Sequence, residues 1–306
     1  MSDKVVTEHT GPVIDHRNGF DVIECEQCGF KHVMPLPTPE ELDELYRHEY
    51  YDTEKPLFLQ QSEEDAAWWQ QVYNDRYDTF ESELSEGQRT ILDVGSGPGR
   101  FLHAGMQRGW KVTGIEPSVQ ASDYAKNTLG VNVINDFLTV ESAASLGTFD
   151  VVHASQVLEH IPNPIDVLKT MTSLLKPGGI LCLVVPNDFS PFQLALQEVE
   201  NYEPWWIAAP HHLNYFNFDS LTSLVEKHGY EVFLRDTTFP IDMFLLMGEN
   251  YIGNDELGRA CHHRRVRMEA QLAKAGQNHV RRGLYQAMAN QGLGREVCIF
   301  ARKLAR

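Results

Sequence analysis

Residue types that can carry chemistry gather in three places along this chain of 306 residues. Asp93-Val94-Gly95-Ser96-Gly97-Pro98-Gly99 sets a carboxylate just ahead of glycines at alternate positions. Glycine lets a backbone turn tightly and come close to a ligand, because no Cβ stands between them. The helical pattern that starts at Gly99 adds open amides pointing at whatever lies across the turn. In a second place, Cys25-x-x-Cys28-Gly29 has the spacing of a metal knuckle, with thiolates to grip an ion and glycine to permit the bend. A structural zinc needs a fuller ligand set, for which His9, His16 and His32 are the nearby candidates; the bland alternative is a hairpin with two free thiols. The third place is His211-His212-Leu213-Asn214-Tyr215-Phe216, where imidazoles that titrate near neutrality stand beside a phenol.

The elements that must position these groups follow from periodicity. Short β-like segments, 20–23 and 30–33, flank the cysteine pair. Thr38-Pro39-Glu40-Glu41-Leu42 reads as a helix start, followed by the aromatic run Tyr46, Tyr50 and Tyr51. Residues 62–84 mix acids with Trp68, Trp69, Val72, Tyr73, Tyr77 and Phe80, an amphipathic pattern that either packs or caps a site. From Thr90 onward strand and helix alternate. Strands are expected at 91–94, 111–115, 131–134, 149–156, 180–185, 230–235 and 296–302, and helices at 99–108, 119–128, 166–175, 219–228 and 255–275. Such alternation gives an α/β domain with a mainly parallel sheet.

Composition narrows the function. With 26 Lys+Arg against 43 Asp+Glu the net charge is −17, which argues against a general nucleic-acid or anionic-membrane surface. A hydrophobic content of 42% can fill the core of one large domain with elaborations, or of two small ones. An odd count of 5 cysteines, no basic-apolar leader and no bilayer-spanning apolar run lead to the expectation of a cytoplasmic, reduced protein.

Position 100 holds Arg where the dinucleotide fingerprint needs glycine, so nicotinamide redox chemistry is disfavoured. The acidic-x-Gly-x-Gly-x-Gly run at 93–99 resembles instead the first motif of the class I S-adenosylmethionine-dependent methyltransferases. Further motifs follow in order. Glu116-Pro117-Ser118 closes the second strand, where a carboxylate can accept hydrogen bonds from both ribose hydroxyls and Ser118 can cap the next helix. Val157-Leu158-Glu159-His160-Ile161-Pro162-Asn163-Pro164 closely resembles the V-L-E-H-x-P-x-P segment of the same enzymes, and Lys176-Pro177-Gly178-Gly179 before an apolar strand is another of their hallmarks.

The resemblance spans residues 88–235 and implies the fold, the cofactor S-adenosylmethionine and methyl transfer. The expected architecture is a Rossmann-like, mainly parallel seven-stranded sheet with an N-terminal cap and a helical insertion before the last strand. Three units are expected: 1–87, the Cys-x-x-Cys segment and helical cap; 88–235, the cofactor-binding core; 236–306, the insertion and final strand. Carried over residue by residue, Asp93, Gly95, Ser96, Gly97 and Gly99 would flank the methionine part of the cofactor. Glu116 and Pro117 would hold the ribose, Asp136 and Phe137 the adenine, and Ser155 and Gln156 would line the floor. The His211–Phe216 run is similar to one in bacterial methyltransferases of sugars and nucleotide-linked sugars, some of which carry an N-terminal zinc-binding module. That likeness implies zinc on Cys25, Cys28, His9 and His32.

Methyl transfer from a sulfonium is an in-line displacement with an activated donor, so the protein has to position the acceptor and remove its proton. His211 and His212 are the expected bases, with Tyr215 in support and His160 as an outside candidate. Arg259, His262, His263, Arg264, Arg265 and Arg267 form a basic run that reads either as an acid-paired solvated face or as a phosphate-recognition surface. The expected acceptor is a small molecule, a phosphorylated or nucleotide-linked sugar or metabolite. A quinone or natural product is the alternative, and a non-catalytic cofactor- or partner-binding module is the reading from another class. No nucleic-acid or membrane partner is expected, and oligomeric state is left open.

Overall fold

The computed structural model describes residues 9–38 and 64–304. The expected helix start from Pro39 and the tyrosine run at 46–51 lie outside the described residues. Strands β1 (Val13–Arg17), β2 (Phe20–Glu24) and β3 (Lys31–Met34) open the chain, followed by helix α1 (Ala66–Glu83). The core then runs β4 (Thr90–Val94), α2 (Arg100–Gln107), β5 (Lys111–Ile115), α3 (Val119–Leu129), β6 (Val133–Ile134), α4 (Val140–Ala143), β7 (Phe149–Ser155), α5 (Pro164–Leu174) and β8 (Leu175–Pro186). Helix α6 (Pro191–Glu200), the short strand β9 (Asn214–Tyr215), α7 (Phe218–Lys227) and β10 (Tyr230–Asp236) come next. An insertion of α8 (Asp242–Leu246), α9 (Asp255–Lys274) and α10 (Asn278–Asn290) precedes β11 (Glu296–Lys303).

The large sheet has the order β10-β11-β8-β7-β4-β5-β6. Its β8-β7-β4-β5-β6 part is parallel, while β11 runs antiparallel to both β8 and β10. This is the expected α/β, Rossmann-like, seven-stranded sheet. Parallel strands covered on both faces read as near-continuous apolar runs, and Ile180–Val185 is almost wholly buried. One face packs Leu168, Met171 and Leu221 from α5 and α7, the other Tyr77, Phe80 and Leu102 from α1 and α2. Ser118 caps α3 by accepting from Ala121 N at 3.3 Å, as its place in the sequence suggests.

Three features exceed the sequence reading. β8 begins at Leu175, so Lys176-Pro177-Gly178-Gly179 lies within a strand and α5 ends at Leu174. A second, antiparallel sheet, β1-β2-β3-β9, joins the cysteine-bearing N-terminal strands to Asn214–Tyr215. The insertion holds a helix pair, α9 and α10, of which the periodicity reveals only the first. No helix among the described residues is long and apolar enough to cross a membrane.

Helix α1 lies against α2 at a point where only glycine fits. A Cβ on Gly105 would stand 2.1 Å from Tyr77 Oη and 2.4 Å from Cζ, inside the ring of a fully buried tyrosine. Gly105→Ala is therefore expected to lower unfolding free energy by about 1–3 kcal/mol in urea titrations, although alanine is the better helix former. Unchanged or increased stability would mean that α1 is not seated as described.

Candidate active site

The carboxyl ends of β4, β5, β6 and β7 open into a cavity of about 820 Å³, where open α/β sheets hold their ligands. Its first half is built by the glycine turn. Gly95 has φ +67°, and a Cβ there would meet Val157 Cγ2 at 2.5 Å, so only glycine passes between β4 and the 157–162 loop. Gly97 N donates to Glu116 Oε2 at 2.8 Å and Ser118 N to Glu116 Oε1 at 2.9 Å. Burial pushes the Glu116 carboxyl up to about 7, against the pull of those two amides. Each oxygen keeps a lone pair for a ligand hydroxyl.

Asp93, Gly95, Ser96, Gly97, Glu116, Pro117, Asp136, Phe137, Ser155 and Gln156 all line this cavity. Gly99 is not part of the lining; it serves as the left-handed N-cap of α2. Gln156 holds φ +57°, a costly conformation for a side-chain-bearing residue and one that collects at ligand sites.

The second half comes from elements far apart in sequence. Trp68, Trp69 and Tyr73 of α1 line it with Phe101 of α2, and the Trp69 and Tyr73 rings stack at 5.7 Å. Beneath them runs a chain of buried polar groups. His153 Nδ1 donates to Asp93 Oδ1 at 2.6 Å, and Arg76 Nη1 donates to His153 Nε2 at 3.3 Å. Arg76 Nη2 also pairs with Glu296 Oε1 at 3.2 Å. Arginine can only donate, so His153 must carry its proton on Nδ1. Burial holds that imidazole below its usual range and so keeps it neutral. Trp68, Trp69, Tyr73, Arg76, His153, Arg295 and Glu296 were not among the site residues read from sequence. The signal available for Asp93 and His153 was a titratable residue inside an otherwise apolar strand.

His160 lines the cavity, and its Nδ1 donates to the His211 carbonyl at 2.8 Å. His211, His212 and Tyr215, the residues expected to be catalytic, do not line it. Pairing of β9 with β3 turns Tyr215 into the small-sheet core beside Val33 and Trp206, where burial raises its phenol pKa. His212 packs its ring 4.9 Å from His160, and Glu159, His160 and His212 offer donor atoms within 4.8 Å of one another. His211 contributes the carbonyl that orients His160. Of His160, His211, His212 and Tyr215, His160 alone lies on the cavity wall.

The N-terminal sheet assembles the expected metal ligands. His9, Cys25, Cys28 and His32 bring their donor atoms within 4.8 Å of one another. His9 Nδ1 lies 3.5 Å from Cys25 Sγ and 3.4 Å from Cys28 Sγ. A zinc tetrahedron with bonds of about 2.0–2.3 Å has edges of about 3.6 Å. His32 Nδ1 donates to the Val33 carbonyl, and its Nε2 is buried without a hydrogen-bond partner. An orphaned imidazole nitrogen beside two thiols fits a tetrahedral zinc. His16 lies apart and pairs with Asp21 at 2.6 Å.

Part of the basic run on α9 is paired with acids. Arg259 pairs with Asp65 at 2.7 Å and Glu64 at 2.9 Å, and Arg264 with Glu249. Arg265 alone of this run turns into the cavity wall.

A glycine turn, a strand-end carboxylate and a seven-stranded sheet of this order define a class I S-adenosylmethionine-dependent methyltransferase fold. Residues 56–234 match the model of the methyltransferase domain family, and the chain belongs to that family. It is 31% identical over 146 residues to the ubiquinone biosynthesis O-methyltransferase of Colwellia psychrerythraea, a match covering 45% of this chain and 59% of that one. It is also 30% identical over 121 residues to the trans-aconitate 2-methyltransferase of Rhodopseudomonas palustris, covering 38% and 46% respectively. The chain thus spans about half the length of these curated relatives. The structure of the plantazolicin methyltransferase BpumL in complex with SAH shares the fold at 13% identity, with TM-score 0.50, over 86% of this chain and 94% of that one.

The buried chain beneath the cavity carries a stability expectation. Arg76→Met strands Glu296 and leaves His153 Nε2 without its donor, and should cost about 3–5 kcal/mol in chemical denaturation. Arg76→Met/Glu296→Leu should regain most of that loss. A single-variant cost below about 1 kcal/mol would show that the pair carries no such load.

Proposed function

We propose that this chain transfers a methyl group from S-adenosylmethionine to a hydroxyl of an aromatic, quinol-like small molecule. The observation that carries the reading is the division of one cavity into a glycine-and-carboxylate half and an aromatic half. The relatives named ubiquinone biosynthesis O-methyltransferase support it. The phosphorylated or nucleotide-linked sugar reading leaned on the α9 arginines, of which Arg259 and Arg264 are taken up by Asp65, Glu64 and Glu249, and that weakens its support. When bound, the cofactor supplies an activated methyl group. Glu116 accepts hydrogen bonds from its ribose, Asp136 and Phe137 meet the adenine, and the Gly95–Gly97 turn and Asp93 flank its methionine part. Trp68, Trp69 and Tyr73 hold the acceptor ring and exclude water. His160, oriented through the His211 carbonyl, takes the acceptor proton as the new bond forms. The neutral Asp93–His153–Arg76 chain fixes the wall against which the acceptor rests.

A zinc ion on His9, Cys25, Cys28 and His32 completes this reading as a structural part remote from the chemistry. The protein as purified should contain close to one zinc per chain by elemental analysis, and Cys28→Ser should abolish it. Metal-free wild-type protein of unchanged stability would remove the zinc assignment.

The ribose role of Glu116 has a pH signature. Its carboxyl is raised in the folded protein, so its contribution to stability is present below its unfolded value and lost as pH rises through about 7. Ribose hydroxyls need the ionised form, so affinity for S-adenosylhomocysteine should rise about tenfold from pH 6 to pH 8. Glu116→Gln should flatten that rise and weaken binding by about 1.5–3 kcal/mol. Calorimetric titration measures both. A Glu116→Gln variant that binds normally with the same pH profile removes the assignment.

A further inference from the structure

Two of the cations at the aromatic half of the cavity have no ion-pair partner among the described residues. Arg76 is matched by Glu296, and Asp93 by its hydrogen bond from His153. Arg265 and Arg295 line the same half, and no carboxylate among the described residues forms an ion pair with either. Arg265 is only 9% exposed. Its Nε and Nη2 are spent on His262 Nδ1, at 3.1 and 2.9 Å, and its guanidinium lies 4.4 Å from the Trp68 ring centre. Its Nη1 is buried and has no hydrogen-bond partner. The nearest acid on its own helix, Glu269, is taken up by Trp68 Nε1 at 3.0 Å and Tyr285 Oη at 2.9 Å. Behind the exposed Arg295 stand Asp188 and Asp242; burial raises both carboxyls, Asp188 to about 7, and neither forms an ion pair with it.

Burying a guanidinium with one fork arm unmatched is costly, and such a donor calls for a group that completes it. We infer that the acceptor carries an oxyanion, a carboxylate or a phosphate monoester, on its aromatic ring, received by Arg265 Nη1 with Arg295 as the second cation. The inference rests on the methyltransferase reading above and deepens it by naming the acceptor's charge. Planar guanidinium and oxyanion geometries match, and Trp68 beneath Arg265 sets the ring of the acceptor beside its charged group. The basic helix thus takes part in recognition through one residue, facing inward, and not through its solvent face.

The test is calorimetric, on full-length protein saturated with S-adenosylhomocysteine. The probes are 3,4-dihydroxybenzoate, its neutral analogue 3,4-dihydroxybenzamide, and phenyl phosphate. One of the two anions should bind at least tenfold more tightly than the amide, and which one does so identifies the oxyanion. Arg265→Gln and, separately, the exposed Arg295→Gln should each reduce that preference at least threefold, with affinity for S-adenosylhomocysteine unchanged. The comparison on the unmutated protein stands even if Arg265→Gln folds poorly. Equal binding of the three probes, binding of none, or a preference that survives in both variants overturns the inference. Failure of the unmutated protein to bind S-adenosylhomocysteine at all is a different result, and it overturns the methyltransferase reading first.

Discussion

Asp93 is a buried carboxylate at the end of a central strand, and much of this molecule is arranged to satisfy it. A charge so placed has to be paired or hydrogen-bonded. His153 on the neighbouring strand meets it, Arg76 on α1 meets His153, and Glu296 at the start of β11 meets Arg76. Four elements distant in sequence are thereby tied to one line beneath the cavity. The line sets where α1 lies and therefore where Trp68, Trp69 and Tyr73 stand over the aromatic half. It also sets the start of the last strand, which carries Arg295 and Glu296 to the same wall. Apolar groups of similar volume can hold a fold equally well, so what this line adds is the polar surface it presents to the cavity above.

The second constraint runs through the N-terminal sheet. Phe30, from the cysteine knuckle, packs 4.8 Å from Phe216 and enters the main core. β3 pairs with β9, and from β9 Asn214 donates its amide to the carbonyls of Leu158 and Ile161 at 2.9 and 2.7 Å. Leu213 N donates to the Glu159 carbonyl at 2.7 Å. A metal on His9, Cys25, Cys28 and His32 would therefore stiffen, through one short strand, the loop that carries His160. That is how a site built for folding can bear on chemistry with no ligand in common.

What could be read from the sequence was local. The glycine turn, the strand-end Glu116 and the strand-helix alternation are encoded within a few residues of one another, so spacing suffices. The clustering of Cys25 and Cys28 with nearby histidines was also visible, because the thiol pair is local; which histidines join it, His9 and His32, is a matter of packing. Residue type alone could not say that His211 and His212 lie off the cavity wall. Their placement is decided by which strand Asn214–Tyr215 joins, and that strand lies in the N-terminal sheet. The arginine run left two readings open for a similar reason. The acids that neutralise Arg259 are Glu64 and Asp65, at the start of α1, a neighbour that helix periodicity cannot name.

The contrast between Arg265 and the arginines around it shows why the packing had to be known. On a solvated helix face a cation finds an acid at little cost, and such pairs contribute little. Arg265 sits on the same helix with the same chemistry, yet its burial changes what an unmatched donor costs. Nη1 has no hydrogen-bond partner, and the protein offers Trp68 and His262 in place of a carboxylate. The aromatic platform tolerates the charge without quenching it. The cavity thus combines an apolar body with Arg265 and Arg295 on one wall, an arrangement suited to an acceptor that is flat, largely hydrophobic and negatively charged at one edge.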